Sequence, residues 1–201
     1  MDKVDHIFFI NLDKREDRLE EIKEGLKEME LFDKSERFPA IYHKNGAVGC
    51  ILSHLEVIKK ARERGYNNCL ILEDDYDFLI EKSFLNSMLN HFFESIDSYD
   101  VLLLGVNMPQ GRLVKDLIIK LDSAQTTSAY IINKKYYDLH IELLENSAKM
   151  LEKTNNQGLY AADQIWKIFM PIREFFCFTN RVGKQRASYS DIEEKFVDYN
   201  V

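Results

Sequence analysis

The sequence predicts an α/β domain with a mostly parallel central sheet flanked by helices. Two observations carry that prediction. Short apolar runs of strand length alternate along the chain with segments of helical period, the pattern that strand-helix-strand units produce. The 201 residues, 45% of them hydrophobic with only 8 Gly and 3 Pro, have the size and composition of one globular core.

The first apolar run, Ile-Phe-Phe-Ile at 7–10, reads as a strand. Asp13 to Glu16 has the spacing of a capping box, and Leu19, Ile22, Leu26 and Met29 then recur on one helical face. Val48, Ile51, Leu52, Leu55 and Ile58 mark a second helix, with Gly65 placed to cap its C-terminus. A buried strand at 69–72 ends abruptly in Glu73-Asp74-Asp75-Tyr76-Asp77. Phe84, Leu85, Met88, Leu89 and Phe92 form another helical face, and 101–104 a strand closed by Gly105. Residues 106–125 show no clear pattern. Beyond them the chain reads as strand (126–132), long helix (136–151), shorter helix (161–169) and a last short strand (175–178). With no repeat, low-complexity tract or linker, residues 1–201 are expected to form a single domain.

Composition removes several function classes. Lys+Arg 27 against Asp+Glu 34 leaves a net charge of −7, the wrong sign for a broad nucleic-acid face. No apolar stretch is long enough to cross a bilayer, and the opening apolar run is too short for a signal-peptide core, so a soluble cytoplasmic protein is expected. Cys50, Cys69 and Cys177, odd in number and widely spaced, suggest reduced thiols rather than a disulfide framework. The P-loop, dinucleotide, zincin and serine-hydrolase signatures are all missing.

The acidic run at 73–77 is the most informative local feature. Four carboxylates within five residues at a strand end repel one another unless a cation neutralises them, and hard oxygen ligands suit Mg²⁺ or Mn²⁺. The C-terminal ends of strands in open α/β sheets are also where ligands collect. A solvated acidic turn is the competing reading. Ser53-His54 on the second helix either faces that ligand edge or makes a packing hydrogen bond.

Several stretches together resemble glycosyltransferase family 25, the lipooligosaccharide and procollagen sugar transferases. They are Phe9 to Arg18 (FINLDKREDR), Arg37-Phe38-Pro39-Ala40, Gly49 to Leu55 (GCILSHL), Leu70 to Asp75 (LILEDD), Asp100 to Gly105 (DVLLLG), Thr126 to Ile132 (TTSAYII), Asp163-Gln164 and Ser190-Asp191-Ile192, in family order. The resemblance implies a GT-A-like nucleotide-sugar-binding fold and Mn²⁺-dependent, inverting transfer from a UDP-sugar. The acceptor it implies is a hydroxyl on a glycan or on a collagen-like hydroxylysine, and the sugar a hexose, galactose or glucose. A family member that keeps the fold as a binding or adhesion module, and a metal-dependent phosphohydrolase, are the alternatives.

On that resemblance Asp75 is the first choice of metal ligand, supported by Glu73 and Asp74, with Asp77 ranked lower. Asn11, Leu12, Arg15 and Arg18 fall at the first strand-to-helix turn, where free N–H groups favour anionic or nucleotide groups; a solvated helix face is the other reading of the two arginines. Ser53, His54 and Asp74 complete the expected donor site. Inverting transfer needs a base for the acceptor hydroxyl, and Asp163 is the candidate, against a role as a first-turn helix carboxylate. Arg181, Lys184 and Arg186, around Gly183 and Gln185, form a basic loop placed to cover a pyrophosphate or simply exposed to solvent. Metal sites on this fold often gain a C-terminal histidine ligand; the chain has no histidine after His140, which leaves Asp191 or water as the substitute.

Overall fold

The computed structural model describes residues 1–190, 192 and 195–198; Asp191 lies outside the described residues. In chain order the elements are β1 (His6–Asn11), α1 (Glu16–Glu28), β2 (Ser35–Pro39), α2 (Gly46–Glu63), β3 (Asn68–Glu73), β4 (Tyr76–Phe78), α3 (Lys82–Ser95), β5 (Val101–Leu103), β6 (Asn107–Lys115) and β7 (Ile118–Gln125). There follow β8 (Ala129–Asn133), α4 (Tyr137–Thr154), the single turns α5 (Gln157–Tyr160) and α6 (Ala162–Ile165), β9 (Phe175–Phe178), β10 (Gly183–Gln185), β11 (Ser188–Ser190) and β12 (Lys195–Val197).

Among the described residues the main sheet has eight strands in the order β2-β1-β3-β8-β5-β9-β7-β6. Six run in one direction, and β8 and β7 run against them. The expected mostly parallel sheet flanked by helices is therefore present. The strands β1, β3, β5, β8 and β9 are largely apolar because both of their faces are covered, whereas β2 and β6 at the sheet edges are not. Phe8, Ile10, Cys69, Ile71, Tyr130 and Ile132 pack on the side of α2 and α4, with Trp166. Ile7, Phe9, Leu70, Leu72, Ala129 and Ile131 pack on the side of α1 and α3. Alternate residues of one strand thus enter different cores. No helix among the described residues is long and apolar enough to cross a membrane.

Several elements differ from the sequence expectation, each for a local reason. Asp13 does not cap α1, because its carboxylate accepts from Arg37 (2.6 Å) and Arg15 occupies the N-cap position. Residues 106–125 form the β6–β7 hairpin, whose register shifts and largely exposed β6 erase the apolar alternation that would announce it. The strand expected from 126 starts only at Ala129, since Thr126 sits at φ 81 and leaves the extended region. The helix expected over 161–169 is one turn, α6, continued by turns into the segment before Pro171. Gly65 does close α2: at φ 72 it donates to the Arg62 carbonyl while the Tyr66 N–H returns to Ala61, a Schellman-type stop.

Reversal of β8 has a direct consequence for the site. Its leading residues, Thr126 to Ser128, lie beside the trailing end of β3, where the Glu73 N–H donates to the Ser128 carbonyl (2.8 Å). Polar groups from both strands therefore meet at one edge.

Candidate active site

β3 delivers the acidic run to that edge. Residues 69–72 are buried on both faces, so the chain first finds polar surroundings at Glu73, and Asp74 and Asp75 follow on the turn into β4. α2 approaches from the side, its N-terminus capped by the Asn45 side chain, which accepts from the Ala47 and Val48 N–H groups. One face of α2 carries Cys50 and His54, a turn apart.

Each carboxylate has a different environment. Glu73 Oε1 accepts from Thr127 Oγ1 (2.6 Å) and pairs with His54 Nε2 (3.1 Å), while His54 Nδ1 meets the Tyr130 hydroxyl (2.9 Å). Burial works against charge on Glu73, but His54 and Thr127 together hold its carboxyl below the ordinary glutamate range. Asp74 accepts from Arg18 (2.9 Å) and Asn11 Nδ2 (2.8 Å); burial nevertheless pushes its carboxyl up. Asp75 pairs through Oδ2 with Arg18 (3.0 Å), whereas its buried Oδ1 accepts no hydrogen bond from the described residues. Burial first, then the charge of Glu73, raises the Asp75 carboxyl to about 7, against the pull of Arg18. A buried carboxylate oxygen without a protein partner, flanked by two further carboxylates, fits a hard divalent cation. Cys50, His54 and Glu73 also converge, with ligand atoms all within 4.8 Å of one another.

A cleft of about 370 Å³ opens over this edge, lined by Leu12, Arg15, Arg18, Ser53, His54 and the three carboxylates, among others. A second cavity of about 530 Å³ adjoins it, sharing Cys50, Glu73 and Gln185 with the first and holding Asp163. Asp163 stands in the first turn of α6, half-buried, and its Oδ2 accepts from the Thr126 N–H (3.3 Å).

The structure thus brings Leu12, Arg15, Arg18, Ser53, His54 and Glu73 to Asp75 to one cleft and sets Asp163 in the adjoining cavity, which Glu73 also lines. Asn11 lies beneath the cleft, 1% exposed, where it ties Arg37 and the Arg15 carbonyl to Asp74. Ser53 Oγ donates to the Gly49 carbonyl and accepts from the Ile41 N–H, so it secures the loop that walls the cleft. Arg15 and Arg18 both donate to the Tyr189 carbonyl, and Arg18 also to Ser188 (2.5 Å), which places β11 at the cleft rim.

Asp77 is bound by Arg186, which also reaches Glu21. The basic segment is accordingly not a loose loop: 183–185 form β10, paired with β4, and the Arg186 N–H donates to the Asp75 carbonyl (2.7 Å). β10 brings Gln185 against Asp75, where it favours the ionised carboxylate, and in reach of Thr126 Oγ1 (3.2 Å). Gln185, Thr127, Tyr130 and Cys50 are site residues that sequence reasoning did not select. Cys50 lies in the family-like stretch at 49–55, and Thr127 and Tyr130 in that at 126–132, but nothing local marked them.

Gly183 permits the β10–β4 contact. A Cβ there would collide with the Tyr76 phenol and stand 2.6 Å from the Asp77 carbonyl. Gly183→Ala is expected to cost about 1–3 kcal/mol in urea denaturation, and to lower activity by moving Gln185 away from Asp75. Wild-type stability in this variant would show that β10 tolerates displacement.

Comparison with known proteins agrees with this geometry. The profile of glycosyltransferase family 25, described as LPS biosynthesis proteins, matches residues 44–166. The crystal structure of a glycosyltransferase involved in glycosylation of the major capsid of PBCV-1 is similar over 94% of this chain and 95% of its own, at 10% identity and a TM-score of 0.56. A UDP-glucose pyrophosphorylase complexed with UDP-glucose is similar over 90% of this chain and 74% of its own, at 10% identity and a TM-score of 0.50. At such identities these two establish likeness of fold. The family match spans more than half the chain and contains α2, the acidic end of β3 and Asp163, and on that match the chain belongs to glycosyltransferase family 25.

Proposed function

We propose that residues 1–201 form a single domain that transfers a hexose, galactose or glucose, from a UDP-sugar to a hydroxyl of a glycan or collagen-like hydroxylysine acceptor. Transfer is metal-dependent and inverts the anomeric carbon. The observation that carries this reading is Asp75, whose buried Oδ1 has no partner among the described residues, on the wall of one cavity, with Asp163 on the wall of the adjoining one.

The donor occupies the cleft beside Leu12, Arg15 and Arg18, with Ser53 and His54 at its wall. Asp75 is the principal metal ligand, and Glu73 and Asp74 add the negative field that favours a cation there. Mn²⁺ or Mg²⁺, when bound, neutralises charge building on the β-phosphate as UDP departs. Arg18, fixed by Asp74 and Asp75, presents a further positive charge to the pyrophosphate. Asp163 Oδ accepts the acceptor hydroxyl's proton as that oxygen attacks the sugar carbon from the face opposite UDP. His54 and Thr127 keep Glu73 ionised between the two cavities. Three free cysteines, Cys50, Cys69 and Cys177, support a cytoplasmic setting.

A panel of UDP-sugars with Mn²⁺, scored by UDP release, tests the reading. Release with one sugar and an acceptor supports transfer; tight binding without release makes the chain a binding module. Metal and nucleotide are expected to bind together. UDP at about a hundred times its dissociation constant should stabilise the protein by roughly 2.7 kcal/mol with Mn²⁺ present, and hardly at all with excess chelator. An equal thermal shift in both conditions would remove the metal bridge.

A further inference from the structure

The convergence of Cys50, His54 and Glu73 is distinct in chemistry from the carboxylate site at Asp75. Cys50 and His54 stand four residues apart on α2, so their side chains lie on one helical face, and Glu73 meets them from the end of β3. His54 Nε2 and Glu73 Oε1 are 3.1 Å apart, and the three ligand atoms lie within 4.8 Å of one another. A tetrahedral ion with bonds of about 2.0–2.3 Å holds its ligands roughly 3.5 Å apart, so small side-chain rotations close the set.

We propose that Cys50, His54 and Glu73 bind a borderline-soft divalent cation of the Zn²⁺ class, with water from the cleft as fourth ligand. Thiolate and imidazole select Zn²⁺ or Co²⁺ over Mg²⁺ and Mn²⁺, so this site differs in preference from the hard-metal site, although Glu73 adjoins both. One thiolate and one carboxylate balance the ion's two charges, which suits a partly dry pocket. Binding releases the Cys50 thiol proton to solvent. In the metal-bound form Nδ1–H donates to the Tyr130 oxygen and the Nε2 lone pair faces the metal, the proton that Nε2 shares with Glu73 being displaced to solvent. Tyr130, 2.9 Å from Nδ1, and Thr127, 2.6 Å from Glu73, are the outer groups that orient these ligands. Cys50 and Glu73 line both cavities, which gives the ion a path from solvent.

Chelator-treated full-length protein titrated with Co²⁺ reads the sulfur contact directly. A sulfur-to-cobalt charge-transfer band in the near ultraviolet is expected at one equivalent, to be bleached by Zn²⁺, retained in Cys69→Ser and Cys177→Ser, and lost in Cys50→Ser. Tyr130→Phe should weaken Zn²⁺ binding by about 10- to 100-fold. No band in the wild type at saturating Co²⁺, or a band that survives in Cys50→Ser, overturns the proposal. Should Cys50→Ser fail to fold, the wild type still decides. Zn²⁺ is expected to slow alkylation of Cys50, mapped by mass spectrometry, at least about tenfold, and an unchanged rate overturns the site. None of these readouts depends on sugar transfer.

Discussion

Asp75→Asn is expected to reduce metal-dependent transfer by about 10²–10³ or more, while making the metal-free protein more stable at alkaline pH. Both effects have one origin. Burial and the neighbouring Glu73 raise the Asp75 carboxyl from 3.8 to about 7. Between those values the folded protein holds a proton that the unfolded chain has released, so stability falls as pH rises from about 4 to about 7 and stays reduced above. Asparagine carries no charge to desolvate. Its gain should be on the order of 4 kcal/mol near pH 8, the attraction of Arg18 being already contained in that shift, and absent near pH 4. Urea denaturation at the two pH values, with chelator, measures it. Retained activity would move the metal elsewhere, and an equal gain at both pH values would show that Asp75 ionisation is not its cause.

Asp163→Asn is expected to cut transfer by about 10²–10⁴ and leave UDP-sugar affinity close to wild type. The substitution is mild structurally, because the asparagine carbonyl still accepts the Thr126 N–H that Asp163 holds at 3.3 Å. What it removes is the carboxylate charge at the second cavity. A purely structural Asp163 at the start of α6 predicts little loss of either property. Calorimetry of donor binding beside transfer with an acceptor separates the two, and wild-type turnover would exclude Asp163 from the mechanism.

Parts of this site were legible in the sequence for physical reasons. A continuous apolar run ending in Glu73-Asp74-Asp75 announces a strand buried on both faces that emerges at a polar edge, and β3 does this. Cys50 was not selected beside His54: that the helical face they share meets Glu73 depends on how α2 packs against the sheet. The basic segment around Gly183 read as a loop, covering a pyrophosphate or simply exposed, yet 183–185 form a strand, the adjoining Arg186 is spent on Asp77 and Glu21, and Gln185 is the residue turned to Asp75. The hairpin at 107–125 stayed hidden because bulges and exposure break its alternation.

By itself, then, the sequence determined the order of the buried strands and the long helices, the double-faced burial of the central strands and the acidic strand end, but not the strands β2, β4, β6, β7 and β10 to β12. Those features arise from contacts two to four residues apart, which periodicity records. Only the tertiary structure decided that β8 runs backwards beside β3, that Asp163 meets the Thr126 N–H in a cavity Glu73 also lines, and that Arg18 reaches both Asp74 and Ser188. These pairings join residues dozens to more than a hundred positions apart, and they are selected by the packing of two cores on one sheet.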